Sequence, residues 1–547
     1  MTTHKKRNPL RILRILLATL SFLILLLLFG DFTNKLPEGM HFMAKIQLVP
    51  AILSVFFIGL LLQVVLVLVF GRIYCSVLCP LGILQDLINR IFSFRKKKAK
   101  GVRRFAYHKP LNGLRYGLLT LVTLLTLSGI TLPLLFLDPY SNFGRIANQL
   151  FRPAIMWINN QFSIGLAQIG NYSLVTVAIK TVSTMGWVTA LTIIIVLILM
   201  VVIHGRLFCN TICPVGATLS LLSRFSIFRI KIDPEKCINC KLCERSCKAE
   251  AINATDMTVD SSRCITCFNC LNDCPKDAIS YAFTPSLFKK KKMSPVKAPT
   301  EAPINKTQTN GRRNFINTSA LVVATIPTAI LAQHGLGPRD GHGKGKGKGL
   351  GRREQRQAHD CENLDRSNPI TPPGSISLER FQDVCTGCQL CVTHCPCQIL
   401  VPAGIQYGFD YMLHPYMSYK SGYCNYNCTD CIDICPTGAL KPLTLDQKQT
   451  TQIGRVHFHR NLCVVKVDGT DCGACAEHCP TGAIKMVPFR GTLTIPEVDP
   501  DTCVGCGGCE SICPAQAIEV IANPVHLHVE KPKPEEVKKV QVDDFGF

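Results

Sequence analysis

The chain has 547 residues, 30 cysteines and a formal net charge of +23. Its mean hydropathy is positive, which excludes an ordinary water-soluble globular protein. No nucleotide-binding loop, flavin motif or catalytic acid–base pair stands out, so chemistry carried by the cysteines is the remaining class.

Apolar runs fall near 12–30, 47–70, 117–137 and 186–204. A helix needs about 20 apolar residues to cross a bilayer, so the chain is expected to span a membrane four times. The first run carries Arg14 and lacks a small-residue cleavage site, and reads as an anchor and not a signal peptide. Basic residues set the orientation. Lys5, Lys6 and Arg7 precede the first run. Arg95 to Lys98, Lys100, Arg103 and Arg104 lie between the second and third, and Arg206, Arg224, Arg229 and Lys231 follow the fourth. Both ends of the bundle are therefore expected in the cytoplasm, with loops 31–46 and 138–185 on the far side. The basic run at 95–104 reads as a topology determinant; no nucleic-acid partner is expected.

A repeat closes the second and fourth runs: Gly71-Arg72-Ile73-Tyr74-Cys75 with Cys79-Pro80-Leu81-Gly82, and Gly205-Arg206-Leu207-Phe208-Cys209 with Cys213-Pro214-Val215-Gly216. Thiols at i and i+4 share a face if the stretch is helical. Cys75, Cys79, Cys209 and Cys213 would then serve one further iron–sulfur cluster or two redox-active pairs, or be plain buried cysteines. Arg72 and Arg206 are read as topology determinants or contacts to lipid phosphate, with cluster tuning as the sharper alternative. His204 is read as an interfacial histidine, with a quinol proton as the sharper alternative.

Next comes Cys237, Cys240, Cys243, Cys247 and Cys264, Cys267, Cys270, Cys274, in the C-x2-C-x2-C-x3-C spacing. Three cysteines on a tight loop bind one [4Fe–4S] cluster and the fourth reaches the other cluster. The expected sets are Cys237, Cys240, Cys243, Cys274 and Cys264, Cys267, Cys270, Cys247. Lys248 stands where Pro is usual after the fourth cysteine.

After Lys289 to Lys292 and a polar linker, Gly311-Arg312-Arg313-Asn314-Phe315-Ile316 opens a weakly apolar run to about Ala332. Paired arginines before such a run resemble a twin-arginine export signal; a fifth span is the alternative. A Gly/Lys-rich tether follows at His342 to Arg353.

Four more blocks complete the chain: Cys385, Cys388, Cys391, Cys395; Cys424, Cys428, Cys431, Cys435; Cys463, Cys472, Cys475, Cys479; and Cys503, Cys506, Cys509, Cys513. Each is followed by Pro. They supply ligands for four [4Fe–4S] clusters, six with the first pair. The blocks must pair for cross-ligation, and the expectation is first with fourth and second with third. Zinc also takes four thiolates, but zinc ribbons separate two Cys pairs widely. Such regular triplets do not suit a disulfide framework either. Cys361 and Cys397 are left over; Cys397 is read as a packing residue, with a spare ligand role as the alternative.

Residues 10–285 resemble NapH-type membrane ferredoxins, on the apolar runs, the repeated C-x3-C-P motif and the two-cluster domain. Residues 311–525 resemble NapG/MauM-type ferredoxins, on the Arg-Arg leader, the four blocks, Cys424-Asn425-Tyr426-Asn427-Cys428 and Asp471-Cys472-Gly473-Ala474-Cys475. In those families the two are separate chains that pass electrons from quinol to a periplasmic reductase; here they look fused. The resemblance implies a bacterial inner-membrane protein, with quinol, membrane lipid and a periplasmic reductase or cytochrome as partners.

The expected fold is a membrane α-helical bundle of 4–5 spans plus α+β bacterial-ferredoxin-type domains. Its parts are a membrane domain at 1–225, a cytoplasmic two-cluster domain at 226–285 and a linker at 286–310. The Arg-Arg segment at 311–333, a flexible linker at 334–378, a four-cluster domain at 379–525, placed outside the cytoplasm, and a charged tail at 526–547 follow. The expected function is an electron conduit, from quinol or a cytoplasmic donor to an extracytoplasmic reductase, more than a stand-alone enzyme. The rivals are a Cu(II) reductase or oxidase-assembly factor acting through the C-x3-C-P thiols, and a redox-sensing maturation or regulatory protein.

Overall fold

The computed structural model describes residues 8–96, 105–177, 179, 183–284 and 367–531. The Arg312-Arg313 leader, the basic residues at 5–7 and 97–104, Cys361, both linkers up to residue 366 and the tail from 532 onward lie outside the described residues.

Helix α1 is Pro9–Gly30, with Asn8 capping it and Pro9 at its first position, where a missing N–H costs nothing. The second apolar run is interrupted: a helix at Leu48–Leu53 ends at Val55, whose φ is 54°, and α2 is Phe57–Phe70. The chain then forms α3, Pro80–Lys96, and α4, Asn112–Leu127. The third run also breaks, at Gly129 with φ 87°, before a turn of helix at Leu132–Leu137. Helices α5, Pro139–Ile146, α6, Thr184–His204, and α7, Pro214–Ser223, follow. Of these, α1 and α6 are long and apolar enough to cross a membrane. Both turn leucines and isoleucines outward, among them Leu13, Leu16, Leu20, Ile195 and Leu199.

The first soluble module pairs β1, Phe228–Ile232, with β4, Ile279–Phe283, around a hairpin of β2, Ile252–Asn253, and β3, Thr258–Val259. The C-terminal region holds two such units. One carries β5, Leu400–Pro402, against β6, Pro415–Met417. The other repeats the first module's plan. Strand β7, Thr451–Phe458, pairs with β10, Ile518–His528, around the hairpin of β8, Ile484–Arg490, and β9, Leu493–Val498.

The helices connect the two soluble regions. At one end of α1, Arg11 donates to Asn269 at 3.2 Å; beyond its other end, Asn34 donates to the His394 carbonyl at 2.9 Å. Thr266 donates to the carbonyl of Phe70, at the end of α2, at 3.2 Å, whereas Ser54, before α2, lies against Gly438. Arg115 of α4 bonds the Ser262 carbonyl at 3.1 Å, and Thr131, past its end, bonds that of Gln382 at 3.1 Å. In α6, Met185 packs against Gly404 and His204 meets Glu250. All four helices thus have the first module at one end and the C-terminal region at the other. Residues 138–149, expected in an outer loop, are instead wholly buried in the bundle.

Candidate iron–sulfur sites

The cysteines come together in sets of four. Cys237, Cys240, Cys243 and Cys274 line one cavity. Cys270 is surrounded by Cys267, Cys264 and Cys247. In the C-terminal region Cys395 joins Cys424, Cys428 and Cys431, and Cys435 lies beside Cys385, Cys388 and Cys391. Cys513 joins Cys463, Cys472 and Cys475, and Cys479 joins Cys503, Cys506 and Cys509. The pairing expected from the sequence is therefore corrected: the first block exchanges its last cysteine with the second, and the third with the fourth. The reason is topological. Strand β7 precedes the third block, and its partner β10 follows the fourth, so their ladder closes that unit on itself. Cys397 lines the Cys424 cavity.

The backbone explains the spacing. In the four regular blocks the residues two after the first cysteine and one after the second are left-handed: Asn239 and Lys241, Thr266 and Phe268, Gly387 and Gln389, Gly505 and Gly507. Successive turns of this kind aim backbone N–H groups inward as an anion nest. Further amides reach the closing sulfurs: Ala251 to Cys247 at 3.4 Å, Ala278 to Cys274 at 3.3 Å and Ala517 to Cys513 at 3.2 Å.

These sets fit a cluster better than a single zinc ion. In each set three cysteines come from one block and the fourth from its partner block, the cross-ligation of a two-cluster ferredoxin. Burial pushes the Cys264 and Cys388 thiols up to about 12, and the Cys506 thiol to about 11. At neutral pH the bare thiols keep their protons, so iron must displace them when a cluster is built.

Cys75, Cys79, Cys209 and Cys213 are all buried and brought together. They do not share one helix. Cys75 lies in a helical turn, Tyr74–Val77, and Cys209 in a π-helical turn, Phe208–Ile212. Cys213 is the N-cap of α7: its sulfur accepts from Gly216 N at 3.3 Å, and Cys79 accepts from Gly82 N at 3.4 Å. Each following proline takes the first helical position.

The two copies brace each other. Arg72 donates to the Cys209 carbonyl at 3.1 Å and Arg206 to the Cys75 carbonyl at 3.1 Å. Both arginines are fully buried, so they do not contact lipid phosphate; that expectation is overturned by their packing. The close approach requires glycine. A Cβ at Gly82 would sit 2.4 Å from the Cys75 oxygen, and one at Gly216 2.1 Å from the Cys209 oxygen. Arg72 Nε, Gln85 Nε2 and Arg115 Nε are buried without a protein hydrogen-bond partner. A donor-rich, cationic surrounding of four sulfurs fits an anionic cluster.

Family models match these regions. A 4Fe-4S binding domain matches residues 52–99 and 185–233, one C-x3-C-P copy in each stretch. 4Fe-4S dicluster domains match 229–275 and 470–517, and a second 4Fe-4S binding domain matches 382–408. The chain is a polyferredoxin, carrying several 4Fe-4S ferredoxin domains, and is similar to the NapH and MauM ferredoxin-type proteins. The polyferredoxin is 35% identical over 143 residues to the methylamine utilization ferredoxin-type protein MauM of Methylobacillus flagellatus, covering 25% of this chain and 60% of that one. It is 28% identical over 193 residues to the ferredoxin-type protein NapH of Haemophilus influenzae, covering 35% and 52%. An uncharacterized protein of Methanocaldococcus jannaschii is 27% identical over 242 residues, covering 44% and 75%. The polyferredoxin therefore spans about half of NapH and 60% of MauM. No solved structure matches it. It is an iron–sulfur electron-transfer protein.

The sequence reading missed Asp86. Its carboxylate meets Arg206 at 2.7 Å and Lys248 at 3.3 Å, and Arg14 also donates to it. Lys248, in the position usually held by Pro, was the available signal. His204 meets Glu250, its Nδ1 3.2 Å from Oε1. Glu250 and His108 were not singled out.

Proposed function

We propose that this polyferredoxin carries single electrons across a membrane, from quinol on the cytoplasmic side to an extracytoplasmic reductase or cytochrome. Six [4Fe–4S] clusters on the 24 ferredoxin cysteines and a seventh at Cys75, Cys79, Cys209 and Cys213 would supply the redox steps. The observation that carries this reading is the placement of the two soluble regions at opposite ends of α1, α2, α4 and α6. The basic residues flanking the apolar runs favour a four-span chain with the first module inside. Interrupted helices such as α2 suit a bundle in which residues 138–149 fold back into the middle.

That returning segment favours a continuous route. Tyr74 neighbours Cys79 and Asp138, and Tyr140 neighbours Asp138 and Cys388, all of them buried. A cavity of about 740 Å³ opens between α1, α3 and the first module. Ile12, Ile15, Leu16 and Leu87 line its apolar side, and Arg14, Asp86, Lys248 and Asn269 its polar end. An apolar slot with a few convergent polar groups suits a quinol ring and tail. Burial of all four C-x3-C-P thiols tells against Cu(II) docking there.

The test uses the purified full chain in liposomes that enclose ferricyanide. Quinol added outside should bleach the trapped ferricyanide, and Cys75→Ser with Cys209→Ser should abolish this while the other clusters remain. Cluster reduction without loss of trapped ferricyanide would overturn the transmembrane route. Protease cleaving both soluble regions from the same side of the vesicle would overturn it as well.

A further inference from the structure

We propose that His108, His204 and Glu250 form a binding site for one first-row divalent cation, at the seam between the helical bundle and the first ferredoxin module. His108 Nδ1 lies 2.9 Å from Glu250 Oε2, and His204 Nδ1 lies 3.2 Å from Glu250 Oε1. The donor atoms of the three residues all lie within 4.8 Å of one another. A tetrahedral ion with bonds of about 2.0–2.1 Å holds its ligands about 3.3 Å apart, so the two imidazoles and the carboxylate need only small shifts to take one.

Three separate pieces of chain supply the ligands. His204 ends α6, and His108 lies in the stretch leading into α4. Glu250 is placed by the ferredoxin turn. The third residue after each closing cysteine is left-handed, and its counterparts are Asp277, Gln398, Gly438, Gly482 and Gln516. The backbone at Glu250 is therefore dictated by the module, and the carboxylate it carries meets two imidazoles.

Two imidazoles and a carboxylate suit Zn²⁺ and its neighbours and not Ca²⁺ or Mg²⁺, which prefer all-oxygen shells. Glu250 is buried, whereas the His108 side chain is 55% exposed. That leaves an entry path and a fourth position for water. Arg263 stands 4.0 Å behind Glu250 and donates to the carbonyls of His108 and Ala249. It balances the carboxylate when no ion is bound and moderates affinity when one is. A bound ion would clip the first module to the bundle, independently of whether the chain moves electrons across a membrane.

The test uses the full-length protein with its clusters, equilibrated with Zn²⁺ and freed of excess metal. Elemental analysis should find one zinc per chain beside the iron. Zinc-edge X-ray absorption should show a nitrogen/oxygen shell at about 2.0 Å without sulfur at about 2.3 Å. His108→Ala and His204→Ala should each remove the zinc while iron content and cluster absorbance stay constant. His108→Gln, at a half-exposed position, guards against misfolding. Glu250→Gln should weaken binding by more than the roughly 10–100-fold that loss of an outer partner costs. No zinc in the wild-type protein, a sulfur shell, or zinc retained in both histidine variants would overturn the site.

Discussion

Asp86 offers the sharpest test of how the bundle holds its parts. Its carboxylate, 12% exposed, faces Arg14 of α1, Arg206 of the second C-x3-C-P copy and Lys248 of the first module. Burial alone would raise its pKa, but Arg206, Lys248 and Arg14 together hold it far below the usual carboxylate range. A carboxyl with a depressed pKa stabilises the fold above its unfolded value, near 3.9. That contribution is lost only as pH falls toward the folded value, so Asp86 stays ionised throughout the usable range. Asp86→Asn keeps the shape and removes the charge, leaving Arg206 buried without its counter-ion. Breaking a buried pair from one side costs about 3–5 kcal/mol. The assay is thermal loss of cluster absorbance in detergent, with iron content measured before heating. Lys248→Gln provides the control. In the Asp86→Asn background it should cost less than in the wild type, with a coupling of about 0.5–3 kcal/mol. An unchanged midpoint in Asp86→Asn, or strictly additive substitutions, would refute the network.

The exchange of closing cysteines is tested by Cys395→Ser and Cys435→Ser. Cys395→Ser should alter the electron paramagnetic resonance signal of the cluster held by Cys424, Cys428 and Cys431, and Cys435→Ser that of the Cys385 cluster; changes instead in the Cys503 cluster on Cys395→Ser and in the Cys463 cluster on Cys435→Ser would restore the first-with-fourth and second-with-third pairing. Gly216→Ala should displace Arg72, whose Nη2 would lie 3.0 Å from the new Cβ. We expect loss of iron from the C-x3-C-P set, read by elemental analysis, with the soluble clusters intact. Burial lowers His414 to about 4 and His526 to about 4. Both are below the unfolded value near 6.5, so their stability is complete above it and is lost as pH falls toward 4. At pH 5 each protonation penalty is about 2 kcal/mol. Acid denaturation of the C-terminal region should therefore shift to lower pH in His414→Gln, provided its hydrogen bond to the Cys385 carbonyl is kept.

The cysteine blocks were legible because a cluster loop fixes its spacing locally, through the same left-handed turns in all four regular blocks. Their pairing was not legible, because it depends on the β7–β10 ladder between residues 60 or more apart in sequence. The apolar runs near 12–30 and 186–204 read as helices and are helices. Those near 47–70 and 117–137 looked continuous because hydropathy does not register a backbone break at Val55 or Gly129. The brace at Arg72 and Arg206 was visible as a repeat, but its meaning lies in contacts between copies over 130 residues apart. Gly82 and Gly216 stood in that repeat with no role assigned, yet only a residue without a side chain lets the opposite arginine reach the carbonyl. Segment 138–149 was taken for a loop because short polar residues such as Asn142 and Asn148 conceal its burial.

Arg145, in segment 138–149, is fully buried, and its guanidinium remains cationic at neutral pH. Its hydrogen bonds go to neutral acceptors: the carbonyls of Gly387, Leu135 and Thr386 and the Asn142 amide. A buried guanidinium without a bonded carboxylate is costly. Asp138 and the Cys388 and Cys385 sulfurs lie within its electrostatic reach. A cluster on Cys385, Cys388, Cys391 and Cys435 would place net negative charge there, and the arginine would stabilise its reduced form. Across a separation of about 6–10 Å, at an effective dielectric of about 20, one unit charge is worth about 2 kcal/mol. For a one-electron couple that is about 90 mV. Arg145→Gln keeps hydrogen-bonding capacity and removes the charge, so it should lower the potential of this cluster by tens of millivolts while leaving those of the first module unchanged. Redox titration followed by electron paramagnetic resonance separates the two. An unchanged potential would mean that Arg145 serves only to hold the loop.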